Sequence, residues 1–276
     1  RVLFRSGWKY GDEVILNPQI TNPPHETKSD YQICSELAAK LGLKEQYTQN
    51  RSEKDWIVWA LGVYRKTRFP EVPRLHKFRD KNKGVYSTPV TKPAIALDDF
   101  RKDPQKHPLK TPTGKIELFS KPLFDMNKPT EIPAVPKYIQ EWESPFGKES
   151  KVYPLQALGH HYMPRVHSTH DGIDWLDEAF PQRVFMNPLD AEKRGIENGD
   201  DVLIYNDRGK IIMPCRLTPK MMPGVVDIPQ GAWYTPDKEG IDRRGNVNVL
   251  TSHKWTPLAF GNAQHTIMVQ VEKAKA

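Results

Sequence analysis

The sequence predicts a mixed α+β chain, mainly β in its C-terminal half, where a small closed β-barrel is expected. Three observations carry this. Two capped amphipathic helix patterns stand near the start, a proline-punctuated polar stretch follows, and after Tyr153 short apolar runs alternate with strong turn signals. The 276 residues exceed the ~100–200 usual for one domain, so one large domain or two smaller ones are expected. Only 37% of residues are hydrophobic, 25 are proline and mean hydropathy is −0.68, which places much of the chain in extended connections.

In "KSDYQICSELAAKLGL", Ser29 is placed to cap a helix and Gln32 holds the capping-box position. Ile33, Cys34, Leu37, Ala38 and Leu41 mark one apolar face, and Gly42 stops the helix. In "SEKDWIVWALGVYRK", Ser52 and Asp55 form the start signal, and Ile57, Ala60, Leu61 and Tyr64 follow at helical spacing. Two helices with so little chain around them bury a thin core, so residues 1–68 are expected to pack on a neighbour. Residues 69–146 read as a Pro-rich connection. Its one island, "TPTGKIELFS", predicts a strand at 113–119, since Ile116 and Leu118 alternate with Lys115 and Glu117 after a Thr113-Gly114 turn.

Residues 147–276 carry the barrel pattern. "YPLQAL" and "RVFMN" read as strands, and "PLDAEKRG" as a short helix with Asn187 as cap, Pro188 in the first turn and Gly195 at the end. An Asn198-Gly199 turn, the strand "DVLIYN", a hairpin at Asp207-Arg208-Gly209 and the strand "KIIMPCRL" follow. Pro223-Gly224 turns the chain into "VVDIP", and "TIMVQVE" closes the series. A barrel suits such short strands because it removes exposed edges.

The formal charge is +7, from 41 Lys+Arg against 34 Asp+Glu, and it is spread along the chain. It fits a solvated basic surface or an anionic ligand. Cys34 and Cys215 are far apart and outside any C-x-x-C pair, which argues against a cluster or thiolate zinc site here. No apolar run approaches the ~18–20 residues of a membrane-spanning helix, and the N-terminus has no signal-peptide apolar region, so no targeting signal is expected in this chain. The first residue is Arg1 rather than methionine, so a processed product or a piece of a longer protein is expected.

"LGHHYMPRVHSTHD" concentrates His160, His161, His167 and His170 in a chain with 9 histidines. Zinc would require at least three converging ligands, but Pro164 breaks any helix that would align the pairs and H-E-x-x-H is absent, so no metal ligand is assigned. Two readings stay open: unassigned surface histidines, and a ligand cradle. For the cradle, Gly159 permits close approach, Arg165 offers a fork to an oxyanion, and Ser168 and Thr169 offer hydroxyls.

"LGHHYMPRVHS", with "FMNPLDAEKRGIENGDDVLIYNDRGKI", "MMPGVVDIPQGAW" and "GNVNVLTSHKWTPLAFGNAQHT", resembles the C-terminal domain of the molybdopterin dinucleotide oxidoreductases. Within that family it is most similar to the catalytic subunits of anaerobic dimethyl sulfoxide reductases. "ETKSDYQICSELAAKLG" resembles the end of the α/β domain that precedes the linker, and "TPTGKIELFS" the family's "TPSGKIE" segment.

The resemblance implies a double-psi barrel closing over molybdopterin guanine dinucleotide, two per molybdenum in the intact enzyme. It implies that Gly159, His160, His161, Arg165, His167 and Ser168 hold a pterin and its pyrophosphate. Asn187 and Asp190 would face the dinucleotide, Asp190 accepting from guanine. Gly231, Ala232 and Trp233 match the "GAW" turn, and Asn248, Asn262, Gln264 and His265 would finish the pterin pocket. For Asn187, Gly231 and Trp233, a helix cap, a turn and a core aromatic are alternatives that remain open.

No catalytic residue is expected in this chain: the segment that ligates molybdenum and the family's cysteine cluster motif are not in it. An iron–sulfur cluster is therefore implied only through a missing N-terminal region. The implied partners are the rest of the catalytic subunit, an iron–sulfur electron-transfer subunit and a membrane anchor subunit, with no nucleic acid. The implied location is the bacterial periplasm or a membrane-associated complex. The competing reading is a noncatalytic basic barrel that binds nucleic acid or a protein, which predicts exposed aromatics interleaved with Lys and Arg on one face.

Overall fold

The computed structural model describes residues 3–6, 13–17, 19, 21–67, 70–77, 85–87 and 95–275. The chain divides into two compact units, Arg1–Lys115 and Ile116–Ala276.

In the first unit, strands β1 (Leu3–Ser6), β2 (Glu13–Asn17) and β3 (Val85–Ser87) form an antiparallel sheet in that order. Helices α1 (Asp30–Lys40), α2 (Lys44–Thr48) and α3 (Glu53–Thr67) lie between β2 and β3, and the short α4 (Asp98–Lys102) follows. Ser29 caps α1 by accepting from Gln32 N. At α3 the capping box is reciprocal: Ser52 Oγ accepts from Asp55 N, and Asp55 Oδ2 accepts from Ser52 N at 2.9 Å. The Ser52 hydroxyl, 2.6 Å from Asp55 Oδ2, and the Ser52 N–H both donate to that carboxylate and hold it below its ordinary pKa. The core here is small, built from Val14, Leu16, Leu61 and Val72 with Tyr64, Leu75 and Tyr86 against it.

The second unit begins with α5 (Lys121–Asp125) and is dominated by a closed barrel. Its strands are β4 (Leu155–Leu158), β5 (Val184–Met186), β6 (Asp201–Tyr205), β7 (Lys210–Leu217), β8 (Val225–Asp227) and β9 (Ile267–Lys273). Helix α6 (Asp174–Ala179) precedes β5, and α7 (Pro188–Glu192) follows it. The strands close in the order β4-β8-β5-β7-β6-β9. β4 runs parallel to β8 and β5 parallel to β7, while the other four contacts are antiparallel. Two interleaved parallel pairs require connections that cross the barrel ends, a pattern consistent with double-psi topology.

Alternation sorts the side chains. Val202 and Ile204 of β6, Ile211, Met213 and Cys215 of β7, and Ile267, Val269 and Val271 of β9 all point into one buried cluster with Leu155, Met186 and Ile228. Burial pushes the Cys215 thiol up to about 11. Asn187 caps α7 through Leu189 N, and Gly195, Gly199 and Gly224 adopt the positive φ that their turns require.

The strand expected at 113–119 does not form. Gly114 N donates to Thr111 O in a turn, and Ile116 and Leu118 are exposed, so no second strand meets their apolar side. Within the stretch read as connection, the described residues also contain β3, α4 and α5, elements too short to leave a periodic signal.

Candidate functional site

Because β5 runs antiparallel to β8, the barrel has two distinct ends. The C-terminal ends of β4 and β8 and the N-terminal end of β9 share one of them. From it rise the histidine loop after β4, the Gln230–Trp233 turn after β8, and the segment leading into β9.

These loops are tied together by hydrogen bonds to the backbone of Gly159 and His160. Gln230 N donates to His160 O, Gln230 Nε2 donates to Gly159 O at 2.6 Å, and Gly159 N donates to His265 Nδ1 at 3.4 Å. Gly231 has φ +97, and a Cβ there would lie 1.8 Å from His167 O, so only glycine fits beneath the loop. His167 itself has φ +54 and His170 φ +80, the left-handed region uncommon for side-chain-bearing residues.

A buried ion cluster fastens the frame. Asp171, 1% exposed, accepts from Trp233 N at 2.8 Å and from Arg244 Nε at 3.1 Å, and its Oδ1 lies 2.5 Å from Arg165 Nη2. Arg244 also contacts Asp177. Arg165 Nη1 donates to Gln182 Oε1 at 2.6 Å, and Gln182 Nε2 in turn donates to Pro229 O. Burial pulls the Arg165 guanidinium below its ordinary pKa, whereas the hydrogen bonds that Arg244 donates to Asp171 raise its own. The fork that the sequence offers to an oxyanion at Arg165 is therefore turned inward, where it orders the loop.

His160 Nδ1 lies 2.7 Å from Asp227 Oδ2, an ion-pair distance, although its ring N–H is not aligned on that oxygen. His160 N donates to Asp227 Oδ1. The His161 and His167 rings are 5.1 Å apart and exposed, and Ser168 is exposed, its carbonyl accepting from Trp233 Nε1. Among the described residues, the side chains of His161, His167 and Ser168 have no hydrogen-bond partner. Ala232 is buried under the turn and Trp233 is half exposed. Asn262, Gln264 and His265 line a separate cavity of about 580 Å³ with Trp142 and Lys254, whose ammonium sits 4.0 Å from the Trp142 ring centre. Asn248 is exposed on the 3-10 turn Val247–Leu250, whose end is joined to the same barrel end by Asn206 Nδ2 donating to Leu250 O.

Asn187 and Asp190 lie toward the other end. Asn187 Nδ2 donates to Met221 O at 2.6 Å, and the buried Asp190 accepts from Gly224 N at 2.6 Å. Their hydrogen bonds brace α7 against the turn before β8. Sequence reasoning did not single out Asp171, Gln182, Asp227, Gln230 or Arg244. Asp171 and Arg244 meet across a sequence separation of 73, for which one sequence holds no signal.

The geometry defines a barrel protein with a loop-built cradle at one end, and residues 155–268 match the model of the Molydopterin dinucleotide binding domain. The barrel region is thus similar to a domain family named for binding molybdopterin dinucleotide. The chain is a relative of the dimethyl sulfoxide and trimethylamine N-oxide reductases. It is 43% identical over 267 residues to dimethyl sulfoxide reductase DmsA of Escherichia coli strain K12, covering 94% of this chain and 32% of that protein. It is 34% identical over 273 residues to trimethylamine-N-oxide reductase 1 of the same strain, covering 94% and 32%. The chain therefore spans about a third of the length of these relatives. In fold it matches acetylene hydratase from Pelobacter acetylenicus with a TM-score of 0.68 at 18% identity, covering 99% of this chain and 37% of that one.

Proposed function

We propose that this chain is the cofactor-embracing portion of a molybdenum oxidoreductase that reduces dimethyl sulfoxide or a related S- or N-oxide. The observation that carries the reading is the cradle itself: a loop pinned from beneath by Asp171, Arg165 and Gly231, with the side chains of His161, His167 and Ser168 displayed outward and without hydrogen-bond partners among the described residues. That donor set fits a phosphate-bearing heteroaromatic ligand, since imidazoles and a hydroxyl match pterin and pyrophosphate oxygens and nitrogens. Similarity to reductases of sulfoxides and N-oxides supports the substrate class.

In this reading the ligand is molybdopterin guanine dinucleotide, two per molybdenum in the whole enzyme. When bound it supplies the two-electron chemistry of oxygen-atom transfer. The chain's own residues bind and orient. His161, His167 and Ser168 donate to the ligand, Asn248, Asn262, Gln264 and His265 complete the pocket, and Gly159 and Gly231 let backbone approach closely. Asn187 and Asp190 act on the dinucleotide indirectly, by fixing the turn at Gly224. Iron–sulfur centres belong to regions outside this chain, and an electron-transfer subunit, a membrane anchor and a periplasmic or membrane-associated setting complete the proposal.

The test titrates the 276-residue chain with guanosine and adenosine diphosphates and with a single-stranded oligonucleotide. Preference for the guanine nucleotide, reduced by Ser168→Ala and His167→Ala, is expected. Steeply salt-dependent oligonucleotide affinity with no nucleotide preference would replace this reading with the nucleic-acid barrel.

A further inference from the structure

The unit Ile116–Ala276 contains seven arginines, and five of them are paired. Arg165 and Arg244 hold Asp171, Arg194 lies by Asp190, Arg208 holds Glu143, and Arg243 holds Asp237. The remaining two, Arg183 and Arg216, have no carboxylate at ion-pair distance among the described residues. Both line the same cavity of about 310 Å³, together with Tyr162, Glu178 and Phe185.

The sheet explains why they converge. Arg216 on β7 is the register partner of Phe185 on β5, and both side chains point away from the barrel core, so the Arg216 guanidinium lies 5.9 Å from the Phe185 ring centre. Arg183 enters from the residue just before β5. Burial raises the Tyr162 pKa against the charges of Arg165, whose guanidinium lies 5.3 Å from the ring centre, and of Arg183 and Arg216, which line the same cavity. The Tyr162 hydroxyl is fixed by donating to Pro181 O at 3.0 Å.

Two like charges at one concave site repel each other unless an anion joins them. Guanidinium is weakly hydrated and offers paired N–H donors in a plane, the geometry that matches tetrahedral oxyanions. We propose that Arg183 and Arg216, walled by Phe185 and Tyr162, form an oxyanion-binding site outside the cradle, for a phosphate-type anion either free or carried by a nucleotide. The site adjoins the cradle, since Tyr162 belongs to the same loop and the His160 ring packs edge-on against Tyr162 and Phe185, but its two arginines were not assigned to the cofactor. Glu178 lines the same cavity without pairing to either arginine and weakens the site by repulsion.

The test follows the arginine Nε–Hε signals of the 276-residue chain while phosphate is added at constant ionic strength, with chloride as control. Saturable shifts at Arg183 and Arg216 are expected with phosphate and absent with chloride. R216Q is expected to weaken phosphate about tenfold or more, the loss of one charge-assisted fork, and E178Q to strengthen it several-fold. A second arm repeats the titration with guanosine diphosphate. Competition with phosphate and sensitivity to R216Q assign the site to a nucleotide phosphate, whereas nucleotide binding that ignores both assigns it to a free oxyanion. The absence of saturable shifts, or unchanged phosphate affinity in folded R183Q and R216Q chains, overturns the proposal. Guanine preference at the cradle is read by its loss in Ser168→Ala and His167→Ala, and binding at the arginines by its loss in R216Q, so the two readings fail separately.

Discussion

In the barrel, residues that alternate in sequence alternate in burial. Val202 and Ile204, Ile211 and Met213, and Val269 and Val271 reach one shared core, and the residues between them face outward. In the first unit the helical pattern is equally clear in sequence, yet Ile33, Leu37 and Leu41 of the α1 region are each half exposed or more. A pattern states which face needs covering, and only the tertiary partner covers it. The barrel contains its own partners, and α3 packs Leu61 and Tyr64 against Val14, Leu16 and Val72, whereas α1 finds too little of the described chain to bury its stripe.

Substitutions break or sharpen that contrast. The largest effect is expected at Asp171→Ala, which leaves two guanidiniums without their shared carboxylate; loss of about 3–5 kcal/mol should appear in urea unfolding followed on the barrel. Leu155→Ala, at a fully buried barrel position, should cost about 2–5 kcal/mol in the same experiment. A smaller effect is expected at alkaline pH. Tyr205 donates to Glu272, which pushes its pKa up to about 12, so the folded state holds that proton more tightly than the unfolded chain. The resulting stabilisation is whole below the ordinary tyrosine pKa near 10 and disappears as pH rises through about 12; Tyr205→Phe should flatten that part of the stability profile. Thiol labelling compares the units directly: Cys34 is exposed and should react in the native chain, while Cys215 should react only after unfolding. Least affected should be Leu37→Ala, within about 0.5 kcal/mol, because its side chain is 56% exposed. A cost near that of Leu155→Ala would mean that the α1 stripe is covered in solution and would erase the contrast.

Most of the barrel was legible because strands, turns and the α7 cap are local signals: Asn187, Gly199 and Gly224 each declare a turn or cap on their own. The sequence also pointed to the loop at Gly159–Ser168. What it concealed was the direction of individual polar groups. Arg165 looks like a ligand for an oxyanion until Asp171 and Gln182 are seen to enclose it, and Asp190 looks available until Gly224 N takes it. Both outcomes depend on residues brought together by the crossing connections of the barrel. The strand expected at 113–119 failed for the converse reason, since alternation without a pairing partner leaves Ile116 and Leu118 in solvent.

The last strand has a kinetic meaning. β9 pairs with β4 on one side and β6 on the other, joining residues such as Leu155 and Val269 that are more than a hundred positions apart. Until Ile267–Lys273 has left the ribosome, both neighbouring strands keep unpaired edges and the cylinder stays open. Closure is therefore a late, non-local event of the kind that slows folding. The same strand's leading segment brings His265 to Gly159, so a newly made chain has no finished cradle until this segment has emerged, and loading of any ligand there waits for it.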